Sequence, residues 1–284
     1  MDYNTILNWQ VEEQVHTYTE RDTMLYALGV GFGADPLDPR QLEFVYEKNL
    51  QATPTQAVVL GYPGFWMGDP ATGIDAVRLV HGEQGIEIHQ PLPVAGTVIG
   101  QTRVTGINDK GPDKGALVYS ERQVFNHQTG DLLATLTSTT FCRGDGGCGG
   151  DDPAPYLPHK LPERPADLEC ELPLVEQAAL IYRLSGDYNP LHADLEVASR
   201  AGFERPILHG LATMGVAGHA LLKTCCDYDA TRLTSMRLRF SAPVYPGEVL
   251  RTEIWRDEQQ VSFRCSVPAR DQVVLSNGLA VIAN

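Results

Sequence analysis

"GLATMGVAGHALLKT", residues 210–224, is followed after a short polar break by "SMRLRFSA", residues 235–242. The change of period between these two stretches decides the fold. The first is apolar around nearly its whole circumference, with Ala212, Gly215, Ala217, Gly218 and Ala220 keeping its sides small. A helix of that kind is buried, and its small residues let other backbone approach closely. In the second, Met236, Leu238 and Phe240 alternate with Arg237 and Arg239, the period of two that a half-buried strand requires. "EVLRTEIW" (248–255), "QVSFRCSV" (260–267) and "QVVLSNGLAVIA" (272–283) continue as strands between turns. The order predicts an α+β fold in which a curved antiparallel sheet wraps a buried helix.

Upstream, "LVEQAALIYRLSG" (174–186) sets Ala178, Ile181 and Leu184 at helical spacing and predicts a helix. "DLEVASRAG" (194–202) predicts a short helix, with Asp194 as N-cap and Gly202 as terminator. Between them, "GDYNPLH" (186–192) gathers Asp187, Asn189 and His192 around a glycine and a proline. By composition alone this is an ordinary polar loop that caps itself. Its alternative is chemical. A histidine titrates near neutrality and suits a general base, a carboxyl group can exchange a proton, and an amide can hold a water from both sides.

The Gly-, Pro- and Asp-rich stretch 142–165, "CRGDGGCGGDDPAPYLPHKLPERP", has no apolar period and reads as a linker. It divides the chain into 1–145, a linker over 146–164, and 165–284. The halves look like degenerate copies: "MLYALGVG" (24–31) against "LIYRLSGD" (180–187) matches Tyr26 with Tyr182 and Leu28 with Leu184. "PLPVAGTV" (91–98) against "APVYPGEV" (242–249) matches Gly96 with Gly247. Equal order in both halves indicates a tandem duplication, each copy a helix followed by strands.

With 22 Lys and Arg against 36 Asp and Glu, the net charge is −14, which disfavours nucleic acid. The same field opposes an anionic ligand unless local cations overcome it. "MDYNTILNWQ" carries no basic, apolar leader, "VIAN" is not a peroxisomal address, and Leu208 to Leu222, the most apolar run, is too short to span a bilayer and contains two histidines. These features imply a cytoplasmic protein without a membrane span. None of the six cysteines forms a C-x-x-C pair, so reduced thiols are expected. His209 and His219 have no metal-ligand spacing to another His or Cys, and no metal is expected. His209 reads equally as packed, capping or ligand-facing, and His219 as a core residue.

Taken whole, Tyr182 to Ala198, "YRLSGDYNPLHADLEVA", resembles the signature of the R-specific enoyl-CoA hydratases, or hydratase 2, within the MaoC-like dehydratases. "LEFVYE" (42–47), "LVHGEQ" (79–84), "DKG" (109–111), "RPILHGL" (205–211) and "PVYPG" (243–247) resemble, in order, the hydratase 2 unit of the multifunctional enzymes of type 2. The resemblance spans nearly the whole chain. It implies a double hot dog fold, two copies of a long central helix wrapped by a curved sheet, and a cofactor-free syn hydration of trans-2-enoyl-CoA to the (3R)-3-hydroxyacyl ester in fatty-acid metabolism.

The resemblance assigns Asp187 and His192 as the catalytic pair, Asn189 as the residue that orients water, and the Gly210 N–H as the oxyanion donor. Gly210 opens the buried helix, where N–H groups are free and the dipole is positive. Tyr188, Pro190 and Leu191 complete the turn as substrate contacts. His81, Gly82, Lys110 and Phe240 match acyl-CoA contacts, with Lys110 set to meet a phosphate. Glu47 matches a glutamate linked to activity, though an exposed charge is the stronger reading. The first half has no Asp-x-Asn-x-x-His. Its "ALGVGFGADPLD" (27–38) is glycine-rich, a weak hint of a phosphate loop. The resemblance gives this copy the task of admitting a medium or long acyl tail. A hot dog thioesterase and a non-catalytic acyl-CoA-binding protein are the alternatives, and the intact turn argues against both. Partners implied are an acyl-CoA substrate, a separate (3R)-hydroxyacyl-CoA dehydrogenase, and a second copy in a homodimer.

Overall fold

Alternating inward and outward residues build ten strands, all joined antiparallel into one sheet, in the computed structural model, which describes residues 1–284. The first half contributes β1 (Gln14–Tyr18), β2 (Leu79–Ile88), β3 (Gly96–Asp109), β4 (Ala116–Asn126) and β5 (Leu132–Cys142). The second contributes β6 (Leu168–Pro173), β7 (Leu233–Phe240), β8 (Val249–Asp257), β9 (Gln260–Val267) and β10 (Gln272–Ile282). Their order is β1-β3-β4-β5-β2-β7-β10-β9-β8-β6. Each strand of the second half therefore repeats the place of the strand five earlier, and the copies meet where β2 pairs with β7, from Glu83↔Arg239 to Glu87↔Ser235. An Arg239–Glu83 ion pair at 2.6 Å closes that junction. This is the double hot dog architecture.

Six helices accompany the sheet: α1 (Tyr3–Leu7), α2 (Glu20–Gly29), α3 (Pro39–Leu42), α4 (Ala178–Tyr182), α5 (Leu195–Arg200) and α6 (Gly210–Cys225). The long α6 is the central helix, and every residue from Ala212 to Leu222 is buried. Its mid-helix glycines, Gly215 and Gly218, face the first copy. A Cβ on Gly215 would stand 2.4 Å from a Val30 methyl, and one on Gly218 would stand 2.6 Å from the Thr55 methyl. The small-residue side of α6 is thus the seam between the copies.

The first copy departs from the expectation of a long helix of its own. In the corresponding layer, Pro54–Val59 makes only a tight 3-10 turn, buried through Val58 and packed on α6, β2 and β5. Pro54 at its start, with Gly61 and Pro63 just beyond, leaves no room for an α-helix to propagate. The expected helix over 174–186 is also shorter. α4 ends at Tyr182, and a single 3-10 turn, Arg183–Ser185, closes on Gly186 at φ +119°. That tightening turns Leu184 to solvent. Its repeat partner Leu28 is exposed to a similar degree. α5 forms as expected, with Asp194 accepting from the Glu196 and Val197 N–H groups and Gly202 beyond its end.

The repeat-matched Tyr26 and Tyr182 meet at the seam, ring centroids 5.8 Å apart. The glycine-rich stretch after Tyr26 is packing material rather than a phosphate loop: Val30 fills the notch at Gly215, and Phe32 stacks on the core residue His219 at 3.8 Å. One hydrophobic core of 49 residues runs continuously through both copies. The linker is laced to the first copy, because Asp109 accepts from the N–H groups of Gly147 and Gly149, and Asp152 accepts from Ile107 N–H and the Tyr3 hydroxyl. No helix is long and apolar enough to cross a membrane.

Candidate active site

The turn after α4 is held by its own side chains. Asp187 Oδ1 accepts from the Asn189 N–H at 3.2 Å, and Asn189 Oδ1 accepts from the Leu191 N–H at 3.0 Å. Pro190 then opens a 3-10 turn that ends at His192. The self-capping reading and the chemical one hold together, since the capping aims the remaining polar atoms. His192 is buried, and its Nδ1 lies 2.8 Å from the Ile207 carbonyl oxygen. A carbonyl only accepts, so Nδ1 carries the proton and Nε2 keeps its lone pair. Burial pushes the His192 pKa below the usual imidazole value, against the opposing pull of the Ile207 hydrogen bond and of Asp187. The ring is therefore neutral at neutral pH, as a general base must be.

The start of α6 faces this turn. Gly210 is its first residue, and its N–H, which has no intrahelical partner, donates to no group of the protein. The absence of a side chain lets the Phe240 ring pack close, since a Cβ at Gly210 would stand 3.2 Å from it. His209, one residue earlier, stacks on His192 with ring centroids 3.7 Å apart, and its other neighbour is the Tyr182 ring at 4.9 Å. Its Nε2 donates to the Asp187 carbonyl oxygen at 3.1 Å, while its Nδ1 is buried without a partner. Burial, then the adjacent His192, depress its pKa to about 4. Asp187, His192 and His209 each offer a ligand-type atom within 4.8 Å of the others. Residue spacing gave no sign of that grouping, which depends on the fold returning the start of α6 to the turn.

A cavity of about 1330 Å³ opens beside these groups and takes its walls from both copies. Asp187, Asn189, Leu191, His192, Gly210 and Phe240 line it from the second copy. His81 lines it from the first, its ring 4.8 Å from Phe240 and its Nε2 3.1 Å from Ser138 Oγ. Burial depresses the His81 pKa to about 4.

The other expected contacts lie elsewhere. Gly82 is the next residue of β2 but does not line the cavity, and a Cβ there would meet the Thr139 carbonyl oxygen at 3.2 Å. Tyr188 and Pro190 are exposed on the outer side of the turn, Tyr188 beneath the Arg183 guanidinium. Lys110 is exposed at the β3–β4 hairpin, where its N–H is tied to the Gly115 carbonyl. Glu47 is exposed on a bend outside the cavity. The cations that do line the cavity are Arg78, Arg122, Arg143 and Arg200. Of these only Arg78 has a carboxylate partner, Asp75 at 2.6 Å. Sequence reading missed all four. Arg122 had a signal, being a charge at an inward position of β4 between Val118 and Val124.

The MaoC like domain matches residues 159–277, and the MFE-2 hydratase 2 N-terminal domain matches residues 16–144. The peroxisomal enoyl-CoA hydratase 2 of Arabidopsis thaliana is 39% identical over 95% of this chain and 92% of its own length. The 3-hydroxyacyl-thioester dehydratase Y of Mycobacterium tuberculosis is 41% identical over 94% of this chain and 93% of its own. A crystal structure of a MaoC-like dehydratase from Phytophthora capsici superposes with a TM-score of 0.87 at 36% identity, covering 99% of this chain and 98% of that one.

Proposed function

Because the chain belongs to the MaoC-like dehydratases, as a hydratase 2 built of two hot dog copies, we propose that it is a (3R)-specific enoyl-CoA hydratase, a hydro-lyase acting reversibly on trans-2-enoyl-CoA. The observation that carries this reading is the convergence of the Asp187 carboxyl group, His192 Nε2 and the free Gly210 N–H on one cavity. Hydration adds the water oxygen to C3 and a proton to C2. Water held between His192 and Asp187, and oriented by Asn189, gives one proton to this pair. The pair returns one to C2 on the same face, which makes the addition syn. Negative charge developing on the thioester oxygen is met by the Gly210 N–H and the positive end of α6.

The first copy serves the substrate's length. With only the Pro54–Val59 turn in place of a helix, Val58, Val59, Tyr62, Phe65 and Met67 line space for a medium or long acyl tail. Arg143 and Arg200, unpaired at the cavity wall, replace Lys110 as contacts for coenzyme A phosphates. We assign residues 1–145 this accommodating role and residues 165–284 the chemistry. The product would pass to a separate (3R)-hydroxyacyl-CoA dehydrogenase. A homodimer of the fused pair is the expected assembly, and sedimentation checks it.

The test is a stereospecific hydration assay across acyl lengths. Loss of the enone absorbance without thiol release supports the reading, and thiol release overturns it in favour of a thioesterase. Asp187→Asn and His192→Ala should each reduce turnover by about a hundredfold or more. Rates that collapse beyond the four-carbon ester would overturn the tail assignment.

A further inference from the structure

Deep in the first copy's share of the cavity lies a guanidinium with no counter-charge. Arg122 is only 8% exposed. Its Nη2 donates to the Val58 carbonyl at 2.6 Å, its Nε is buried without a partner, and it takes part in no ion pair. The same cavity wall carries further unmatched polar atoms. Thr102 Oγ1, Tyr182 OH and Ser185 Oγ are buried, lack partners, and belong to residues that line the same cavity. Thr102 is directly opposite Arg122 on β3, and the guanidinium carbon lies 5.5 Å from the Tyr62 ring centroid. Burial pulls the Arg122 pKa down to about 10, with no carboxylate to oppose it. A buried, unpaired charge is costly, and an anion brought to it would remove the cost.

Strand register locates this group relative to the chemistry. Along β5, Thr140 is opposite His81, and Leu136 is opposite Arg122. Those positions are four residues apart, roughly 13 Å at the rise of a strand. Beyond Thr140 in the other direction comes Arg143, next to Arg78 through an N–H to carbonyl bond. The axis therefore runs from the Arg78–Arg143 end, past His81 and Phe240 beside Gly210, to Arg122. A thioester laid along it puts its phosphates at the first end, its carbonyl at Gly210 and its acyl terminus at Arg122. Asp187 is the only carboxylate in the whole lining, and it forms no ion pair with Arg122, which has only the Val58 carbonyl as an acceptor.

We propose that Arg122 receives a carboxylate at the far end of the acyl chain, so that the preferred substrates are coenzyme A monothioesters of dicarboxylic enoic acids. This rests on the hydratase reading and adds the substrate class. The guanidinium anchors the distal carboxylate, its neighbours Thr102 and Tyr182 supply further hydroxyl groups, and the fixed distance to Gly210 selects chain length.

The test compares trans-2-enoyl-CoA esters of equal length ending in methyl or carboxylate, with the full chain, Arg122→Met and Arg122→Lys. The parent should favour the carboxylate-ended ester in kcat/KM by about tenfold or more, the discrimination expected of a site built to pair a polar group. Arg122→Met should lower that ratio by about tenfold or more, and Arg122→Lys, which keeps the charge, should lower it less. A parent that prefers the methyl-ended ester, or a ratio that Arg122→Met leaves in place, overturns the proposal and leaves Arg122 as the support for Val58. Should Arg122→Met fail to fold, the parent's own preference and the Lys variant decide. If neither ester is hydrated, the hydratase reading falls instead. Calorimetric binding of the two saturated esters then decides on Arg122: tighter binding of the carboxylate-ended ester supports it, and equal binding overturns it.

Discussion

The imidazoles of His192 and His209 are stacked, with centroids 3.7 Å apart and planes 27° from parallel. Two imidazolium cations would not share that space, and burial already disfavours charge on both rings. His209 also ties two elements together, because its backbone precedes α6 while its Nε2 donates to the carbonyl of Asp187. It is a positioning residue, acting through Asp187 and His192. His209→Ala removes the wall behind His192 and the donor to Asp187. It should lower kcat by about tenfold or more with little change in KM, the mark of an interaction realised in the transition state. His209→Gln keeps a donor and should recover much of the loss. Steady-state kinetics on the three proteins check this, and a change confined to melting temperature would count against it.

The pH profile follows from the state of His192. Only the neutral ring can accept a proton from water, so kcat/KM falls as pH drops through its pKa in the free protein. Burial places that pKa below the ordinary 6.5. The neutral form therefore persists to more acidic pH than an exposed histidine would allow, and the acid limb should have its midpoint below pH 6.5. A profile of kcat/KM against pH at constant ionic strength measures it directly. A midpoint above 6.5 would contradict the burial argument.

Gly210→Ala tests the oxyanion donor without touching any titratable group. The added methyl would meet the Phe240 ring at 3.2 Å, so either the ring or the first turn of α6 must move by a few tenths of an ångström. A donor displaced from the developing charge loses most of its value, and removal of such a donor costs roughly a hundredfold to a thousandfold. The expected loss in kcat is smaller, about tenfold to a hundredfold, because the N–H is shifted and not deleted. Phe240→Leu in the same chain should relieve the contact and restore part of the rate.

The polar turn was legible as a turn because its information is local. A glycine, a proline and three polar side chains within a few residues fix its backbone and bring the candidate groups together. The same holds for α6 and the strands that follow it, where the period is unambiguous. The missing helix of the first copy was less legible, because repeat matching suggested symmetry while Pro54, Gly61 and Pro63 argued locally against it. His209 and Arg122 were not legible from spacing. His209 acts through a ring stack on a residue far back in the chain, and Arg122 is recognisable only once its strand neighbours show that it points inward. Lys110 is a case of the opposite kind: a short motif marks a cation in the chain, but only the fold shows that it lies at the exposed β3–β4 hairpin while Arg143 and Arg200 line the cavity.

The seam between the copies gives the last prediction. At Gly215 a Cβ would stand 2.4 Å from the Val30 methyl and 3.1 Å from the Tyr26 hydroxyl, in a core that is continuous through both halves. Gly215→Ala raises helix propensity in α6, which by itself would stabilise by up to ~1 kcal/mol. Overpacking opposes it at about 1–3 kcal/mol, and the 2.4 Å approach is too close for rotamer adjustment alone. Sterics should win, and the melting temperature should fall by several degrees. Val30→Ala deletes the opposing methyls and leaves a small void where Gly215 stands. The double variant should then be more stable than the sum of the single changes predicts, since the new methyl fills that void. Thermal denaturation of the four proteins closes the cycle. Strict additivity would mean that α6 and the residue 30 loop do not share the close contact that joins the two copies.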